Sequence, residues 1–217
     1  MYNIIAIDGP SGSGKGTIAK EVARRLNYTY IDTGAMYRCI ALKTLENNIG
    51  ENEEEKIINL LKNMDIKLTN DGLVYLDGED VSTKIRTLEV TKRTSKISPI
   101  IPLRKVMEEK QRDMAKNQNI VMEGRDITTV IFPEAKYKFY IDASLDVRTE
   151  RRYKQNLEKN IKASKEEIRK SLETRDYDDM NRPVGALKRT SDQYYIDNGK
   201  NTIEESINKI LEIVGEE

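Results

Sequence analysis

The sequence predicts an α/β fold in which short buried strands alternate with amphipathic helices, and three observations carry that expectation. A glycine-rich stretch, Gly9-Pro10-Ser11-Gly12-Ser13-Gly14-Lys15-Gly16-Thr17, joins the apolar run Ile4 to Ile7 to a helical-period stretch from Lys15 to Leu26. Four more runs, Tyr28–Ile31, Ile120–Glu123, Tyr137–Ile141 and Gln193–Ile196, have the length and side chains of strands. At 217 residues the chain can bury one full core, with a small insertion.

Composition narrows the chemistry. Lys plus Arg and Asp plus Glu are both 37, so the net charge is zero and nothing argues for a nucleic-acid or membrane surface, although a local arginine pocket would not show in the total. No basic leader precedes the first strand and no apolar run reaches membrane-spanning length, so a cytoplasmic protein with small-molecule partners is expected. The single cysteine, Cys39, makes neither an internal disulfide nor a cysteine zinc site and reads as a core residue. Histidine is absent, which excludes histidine triads, histidine bases and imidazole metal sites. Phosphoryl transfer remains open, because it rests on positioning and on charge neutralisation by lysine, arginine and Mg²⁺.

The first strand and its glycine turn read as a phosphate cradle. A buried strand that feeds a glycine-rich turn leaves backbone N–H groups convergent at the positive end of the following helix. Ile18, Ala19, Val22, Ala23 and Leu26 mark that helix's buried face, and Lys15 stands where its ammonium reaches β- and γ-phosphates. Gly16 follows the lysine and the hydroxyl comes one place later, at Thr17, so a direct Thr17–Mg²⁺ contact stays open.

The second strand ends in Asp32-Thr33-Gly34 before a helix from Ala35 to Leu45. Ligands bind at the carboxyl edge of open parallel sheets, so Asp32, Thr33 and Arg38 are candidates by position; taken alone, a helix N-cap for Asp32 and Thr33 and an exposed helical arginine for Arg38 are the favoured explanations. Asn52 and the acids after it start a helix with Ile57, Leu61 and Met64 inside. Ile66–Leu68 and Leu73–Leu76 around Asn70-Asp71-Gly72 read as a small antiparallel hairpin, which either caps the acceptor side or packs as an appendage.

Arg86 to Arg112 holds eight basic residues and three acids on two helical stretches separated by Pro99 and Pro102, the second from about Leu103 to Asn117. That face is either solvated or projects Ser95 and Arg104 into an anion cleft. The third strand ends in Gly124-Arg125-Asp126, a charged pair that is costly to bury unless it is used. After the fourth strand, a helix from about Asp146 carries Arg148, Arg151 and Arg152 on one face, either in solvent or as a lid over the transferring group. Ser164 to Glu167 has capping-box spacing, and Arg175, Asp179 and Arg182 share a face if that helix runs so far. Thr202 to Glu205 caps the last helix.

Taken together, Ile7 to Thr17, Asp32-Thr33-Gly34-Ala35-Met36-Tyr37-Arg38, Gly124-Arg125-Asp126 and Arg175-Asp176 with Asp179 and Arg182 resemble the bacterial cytidylate kinases, over nearly the whole chain. The resemblance implies a P-loop three-layer fold with a five-stranded parallel sheet, a small antiparallel β insertion and a helical lid. It divides a single domain into a core (1–34, 118–151 and 176–217), a monophosphate-binding region (35–117) and a lid (152–165). It also implies that Gly9 to Thr17 hold ATP, with Mg²⁺ carried on the phosphates. Cytosine recognition would fall to Ser95, Arg104 and Asp126, the acceptor phosphate to Arg38, Arg125 and Arg182, and the ribose to Thr33, Arg175 and Asp179. Lys15, Arg125, Arg182, Arg148 and Arg152 would act on the transferring group. Two positions depart from the family pattern, Glu123 for Asp and Thr128 for Gly.

The expected reaction is ATP-dependent phosphorylation of CMP and dCMP by a monomer, in line and without a general base, since a phosphomonoester is largely ionised at neutral pH. A kinase for another monophosphate, such as UMP or AMP, and a slow nucleotide-hydrolysing switch are the alternatives.

Overall fold

The computed structural model describes residues 2–158 and 161–215. In chain order the elements are β1 (Ile4–Asp8), α1 (Lys15–Leu26), β2 (Thr29–Asp32), α2 (Thr33–Glu46), α3 (Glu54–Lys62), β3 (Ile66–Leu68), β4 (Val74–Leu76), β5 (Glu79–Asp80), α4 (Leu88–Ile97) and α5 (Ile101–Met114). β6 (Ile120–Gly124), β7 (Tyr137–Asp142), α6 (Leu145–Glu158), α7 (Lys165–Asn181), β8 (Tyr194–Asp197) and α8 (Ile203–Gly215) follow.

Five strands form one parallel sheet in the order β2-β6-β1-β7-β8. Alternation along β1 divides the core into two layers. Ile5 and Ile7 pack with Ile18, Val22, Ile207 and Ile210 of α1 and α8 on one face. Ala6 turns to the other, where Met36, Ile40, Leu103 and Met107 lie. Each fully buried Ile or Leu here contributes roughly 1.5–3 kcal/mol. Because every strand is parallel, the loops after β1, β2, β6 and β7 open on one edge of the sheet. Register then brings Asp8 level with Gly124 and Tyr140, and Asp32 level with Glu123.

Three local expectations need correction. The insertion is a three-stranded antiparallel sheet, β3-β4-β5, and not a hairpin, because Asp77-Gly78 turns the chain back to pair β5 with β4. Its buried Ile66, Val74 and Leu76 belong to the same core layer as Met36 and Ile40 of α2. Pro102 does not separate two helices; it lies in the first turn of α5, where the missing N–H costs nothing. α7 ends at Asn181, so Arg182 caps it instead of extending its face, with Pro183 disfavouring a helical residue before it.

The capping box at Ser164 is present, with Glu167 accepting from the Ser164 N–H and Ser164 from the Glu167 N–H. Of the expected lid, residues 152–158 belong to α6 and Ser164 starts α7, while residues 159 and 160 lie outside the described residues. So do residue 1 and residues 216–217 of the expected core. Among the described residues, no helix is long and apolar enough to cross a membrane.

Candidate active site

The glycine turn wraps the start of α1, whose first N–H groups have no helical partner and point into the loop. Gly14 adopts φ +91°, and a β-carbon there would lie 2.3 Å from the Asn198 amide nitrogen. Gly9 is excluded from any side chain by the Ile141 carbonyl, 2.1 Å from where a β-carbon would sit. The Lys15 ammonium donates to the Pro10 carbonyl at 3.2 Å and lies 3.6 Å from Glu123. Burial and the nearby Arg125 hold Lys15 below the ordinary lysine range, with Glu123 acting in the opposite sense.

The loop is braced from behind by groups that no motif announced. Asn198 is fully buried and donates to the Ser13 carbonyl at 2.6 Å while accepting from Ser206 at 3.1 Å. Arg151 donates to Ser13 O at 3.3 Å and Asn198 O at 2.7 Å. Arg148 spends its guanidinium on Ala143 O at 2.9 Å, Ser11 O at 3.1 Å and Asp176 at 2.7 Å. Of the three arginines on α6, two therefore hold the loop's shape.

Arg152 differs from both. Among the described residues it has no hydrogen bond or ion pair, and burial with the Arg38 charge lowers its pKa. Arg175 is likewise unpaired among the described residues and is pulled down to about 10 by burial, then by Arg125, with Arg38 and Arg152 adding to the fall. Arg38 reaches Asp32 at 3.1 Å, and that carboxylate also caps α2 by accepting from the Ala35 N–H at 2.8 Å. Arg125 donates to Asp179 at 2.7 Å and to Gly124 O at 3.2 Å. Lys15, Arg38, Arg125, Arg152 and Arg175 thus converge in front of the glycine loop with mutual repulsion incompletely offset, an arrangement suited to several phosphate charges.

Beside this cationic cluster lies a buried, polar pair. Arg104, in the first turns of α5, donates to the Asp126 carboxylate and to Ser98 O at 3.1 Å, with the Tyr37 ring 5.6 Å from its guanidinium carbon. Arg182 donates to Gly185 O at 2.5 Å, lies 3.5 Å from Asp179 and 3.9 Å from Asp126. Ser95 is exposed and lines a cleft with Ser98, Arg175, Asp179 and Arg182. The Thr33 hydroxyl donates to Glu123 O at 2.8 Å, joining the ends of β2 and β6. Of the expected base, phosphate and ribose residues, Ser95, Arg175, Asp179 and Arg182 line that cleft, and Arg182 links it to the Arg104–Asp126 pair through Asp126 and to Arg125 through Asp179.

At Gly16, a β-carbon would come within 3.1 Å of the Glu123 carboxylate, which would have to shift by a few tenths of an ångström. Glu123 is buried, its pKa raised by that burial and by Asp32 and lowered in turn by Lys15. No group of three or more metal-ligating side chains occurs among the described residues. A hard cation held chiefly by substrate phosphates and water, with one or two carboxylates nearby, fits this donor set. Thr17 is exposed at the mouth of the loop.

The family model described as cytidylate kinase matches residues 5–216. A cytidylate kinase of Fusobacterium nucleatum subsp. nucleatum is 44% identical over 207 residues, 95% of this chain and 94% of that one. One from Clostridium botulinum (strain Loch Maree / Type A3) is 41% identical over 215 residues, 99% of both chains. In fold alone, the chain is similar to an uncharacterized protein from Eubacterium ventriosum ATCC 27560, with TM-score 0.56 and 13% identity over 99% of each chain. A sugar kinase from Janibacter sp. HTCC2649 superposes with TM-score 0.52 and 15% identity, over 99% of this chain and 95% of that one. With a family match over residues 5–216 and relatives above 40% identity along nearly the whole chain, the chain belongs to the cytidylate kinase family.

Proposed function

We propose that the protein transfers the γ-phosphate of ATP to CMP or dCMP, giving CDP or dCDP and ADP. The observation that carries this reading is the placement of the unpaired cations beside the buried Arg104–Asp126 pair. A phosphate acceptor needs the first and a base reader the second.

Cytosine presents an exocyclic amino donor next to ring acceptors. Asp126 accepts from the amino group and Arg104 donates to the acceptors, so each keeps part of its charge-assisted bond to the other and neither is buried alone. Ser95, in the cleft with Arg182, is assigned to the base with them. Thr33, Arg175 and Asp179 address the ribose, while Arg38, Arg125 and Arg182 hold the acceptor phosphate. The glycine loop and Lys15 cradle the donor phosphates, and Arg152 closes on the transferring group while Arg148 keeps the loop in shape.

The acceptor phosphate oxygen attacks the γ-phosphorus in line; the bond to the β-bridging oxygen breaks, and the electron pair leaves on ADP. No protein base is needed, because the attacking oxygen is already ionised. The work of the chain is to screen repulsion between two anions and to exclude water. Glu123 and Thr17 are the oxygen donors that would lie near Mg²⁺ carried on the ATP phosphates, and the chemistry it would supply is neutralisation of the charge that develops there. The reading extends to a cytoplasmic monomer without nucleic-acid or membrane partners.

The test is coupled phosphoryl transfer with ATP and Mg²⁺, offering CMP, dCMP, UMP, AMP and GMP separately against a no-acceptor blank. Turnover confined to CMP and dCMP is expected. Comparable turnover of UMP would remove the role given to Asp126, and acceptor-independent hydrolysis alone would remove the transfer reaction.

A further inference from the structure

Asp8 ends β1 with no exposure to solvent. Its Oδ1 accepts from the Ile127 N–H at 2.9 Å, and its Oδ2 accepts from the Thr128 N–H at 2.9 Å and the Thr128 hydroxyl at 2.6 Å. Those are the two peptides that follow Asp126. On its other side, the Asp126 carbonyl accepts from Val130 and Ile131, closing a wide turn of the kind that recurs at functional sites. The backbone of Asp126 is thus clamped from both directions.

The Thr128 hydroxyl also accepts from the Gln193 amide. Gln193 in turn accepts from the Thr190 N–H at 2.8 Å and donates to Lys188 O at 3.4 Å. That segment follows Gly185, whose backbone lies against the Asp126 carboxylate and the Arg104 guanidinium. One hydroxyl therefore joins the clamp beneath Asp126 to the loop above it. A glycine at 128 would supply neither bond.

We propose that Thr128, together with Gln193, is a positioning residue that fixes the Asp126 carboxylate against the base and so sets selectivity for cytosine. Burial pushes Asp8 up to about 6 while the Thr128 hydroxyl and N–H act against the rise, so the same hydroxyl favours the ionised clamp at neutral pH. The proposal rests on Asp126 reading the base, and the experiment separates the two.

Steady-state kinetics with ATP and either CMP or UMP would be measured for the full chain and for Thr128→Val, Thr128→Ser, Gln193→Met and Asp126→Asn. Thr128→Val keeps the shape and removes the hydroxyl. It is expected to raise KM for CMP roughly five- to tenfold, the scale of a lost buried hydrogen bond, with kcat changed less than about twofold. The CMP-to-UMP ratio of kcat/KM should fall in step, KM for ATP should hold, and Thr128→Ser should restore both values. If Thr128→Val does not fold, Gln193→Met carries the same expectations. A folded variant lacking the hydroxyl or the amide but retaining wild-type KM for CMP and wild-type selectivity overturns the proposal, as does a Thr128→Ser chain no better than Thr128→Val. Asp126→Asn with undiminished preference for CMP overturns the base reading itself. Loss of preference in Asp126→Asn but not in Thr128→Val overturns the positioning role alone.

Discussion

Gly185 lies so close to Asp126 that a β-carbon at 185 would stand 2.2 Å from the carboxylate Oδ2, at a backbone angle φ of +63°. Both facts act against any side chain there. Gly185→Ala is expected to cost about 1–2 kcal/mol in stability from the left-handed backbone, and to displace Asp126 besides. Kinetics should show a raised KM for CMP with KM for ATP unchanged; equal effects on both nucleotides would place Gly185 outside the base-binding side.

Arg148 and Arg152 stand one helical turn apart and should behave oppositely. Arg148 is buried against Asp176 and two carbonyls, so Arg148→Ala leaves a carboxylate unpaired and should destabilise the fold by about 3–5 kcal/mol. Arg152 has like charges around it, so Arg152→Ala should leave thermal unfolding unchanged or slightly raised while lowering kcat about 10²- to 10³-fold. Denaturation and turnover measured on both variants decide the assignment, and a stable, slow Arg148→Ala would reverse it.

Asn198 supplies the glycine loop with a bond that the backbone cannot make for itself. Asn198→Ala leaves the buried Ser13 carbonyl to Arg151 alone and should cost about 1–3 kcal/mol. KM for ATP should rise more than KM for CMP, because the loop it shapes lies on the donor side. A KM for ATP equal to wild type would show that Arg151 suffices.

Lys15 gives a pH dependence whose sign is determined by its surroundings. Binding of ATP uses the ammonium form, and burial lowers the pKa of Lys15 from the ordinary 10.5. As pH rises through that lowered value the free enzyme loses the charge, so kcat/KM for ATP should decline at pH well below 10.5. Glu123 acts to raise the Lys15 pKa, so Glu123→Gln should move the alkaline limb to still lower pH. A limb that stays in place would separate Glu123 from Lys15 electrostatically.

Much of the site was legible before any fold was known, and the reason is sequence distance. The turn from Gly9 to Thr17, the Ser164 capping box and the Asp32 cap are local, made by residues within a few positions of one another. Their backbone angles and spacing express one function each. The resemblance added roles for Ser95, Arg104 and Asp126, which no local spacing assigns.

Local pattern failed where an element depends on what lies beside it. Pro102 looked like a break, but a proline is neutral in the first turn, and the packing of Leu103 and Met107 decided where that turn began. β5 is two residues long and holds only because β4 offers it an edge.

By itself, the sequence determined the phosphate loop, the α/β alternation, the helix starts and the absence of imidazole chemistry, all consequences of short-range sterics, periodicity and composition. The tertiary structure alone decided that Asn198 braces a loop 185 positions earlier, that Gln193 meets Thr128 across 65 positions, and that Arg148 pairs with Asp176 while Arg152 stays unpaired among the described residues. Those outcomes follow from the parallel register, which brings the carboxyl ends of distant strands to one edge, where burial then assigns each charge its partner.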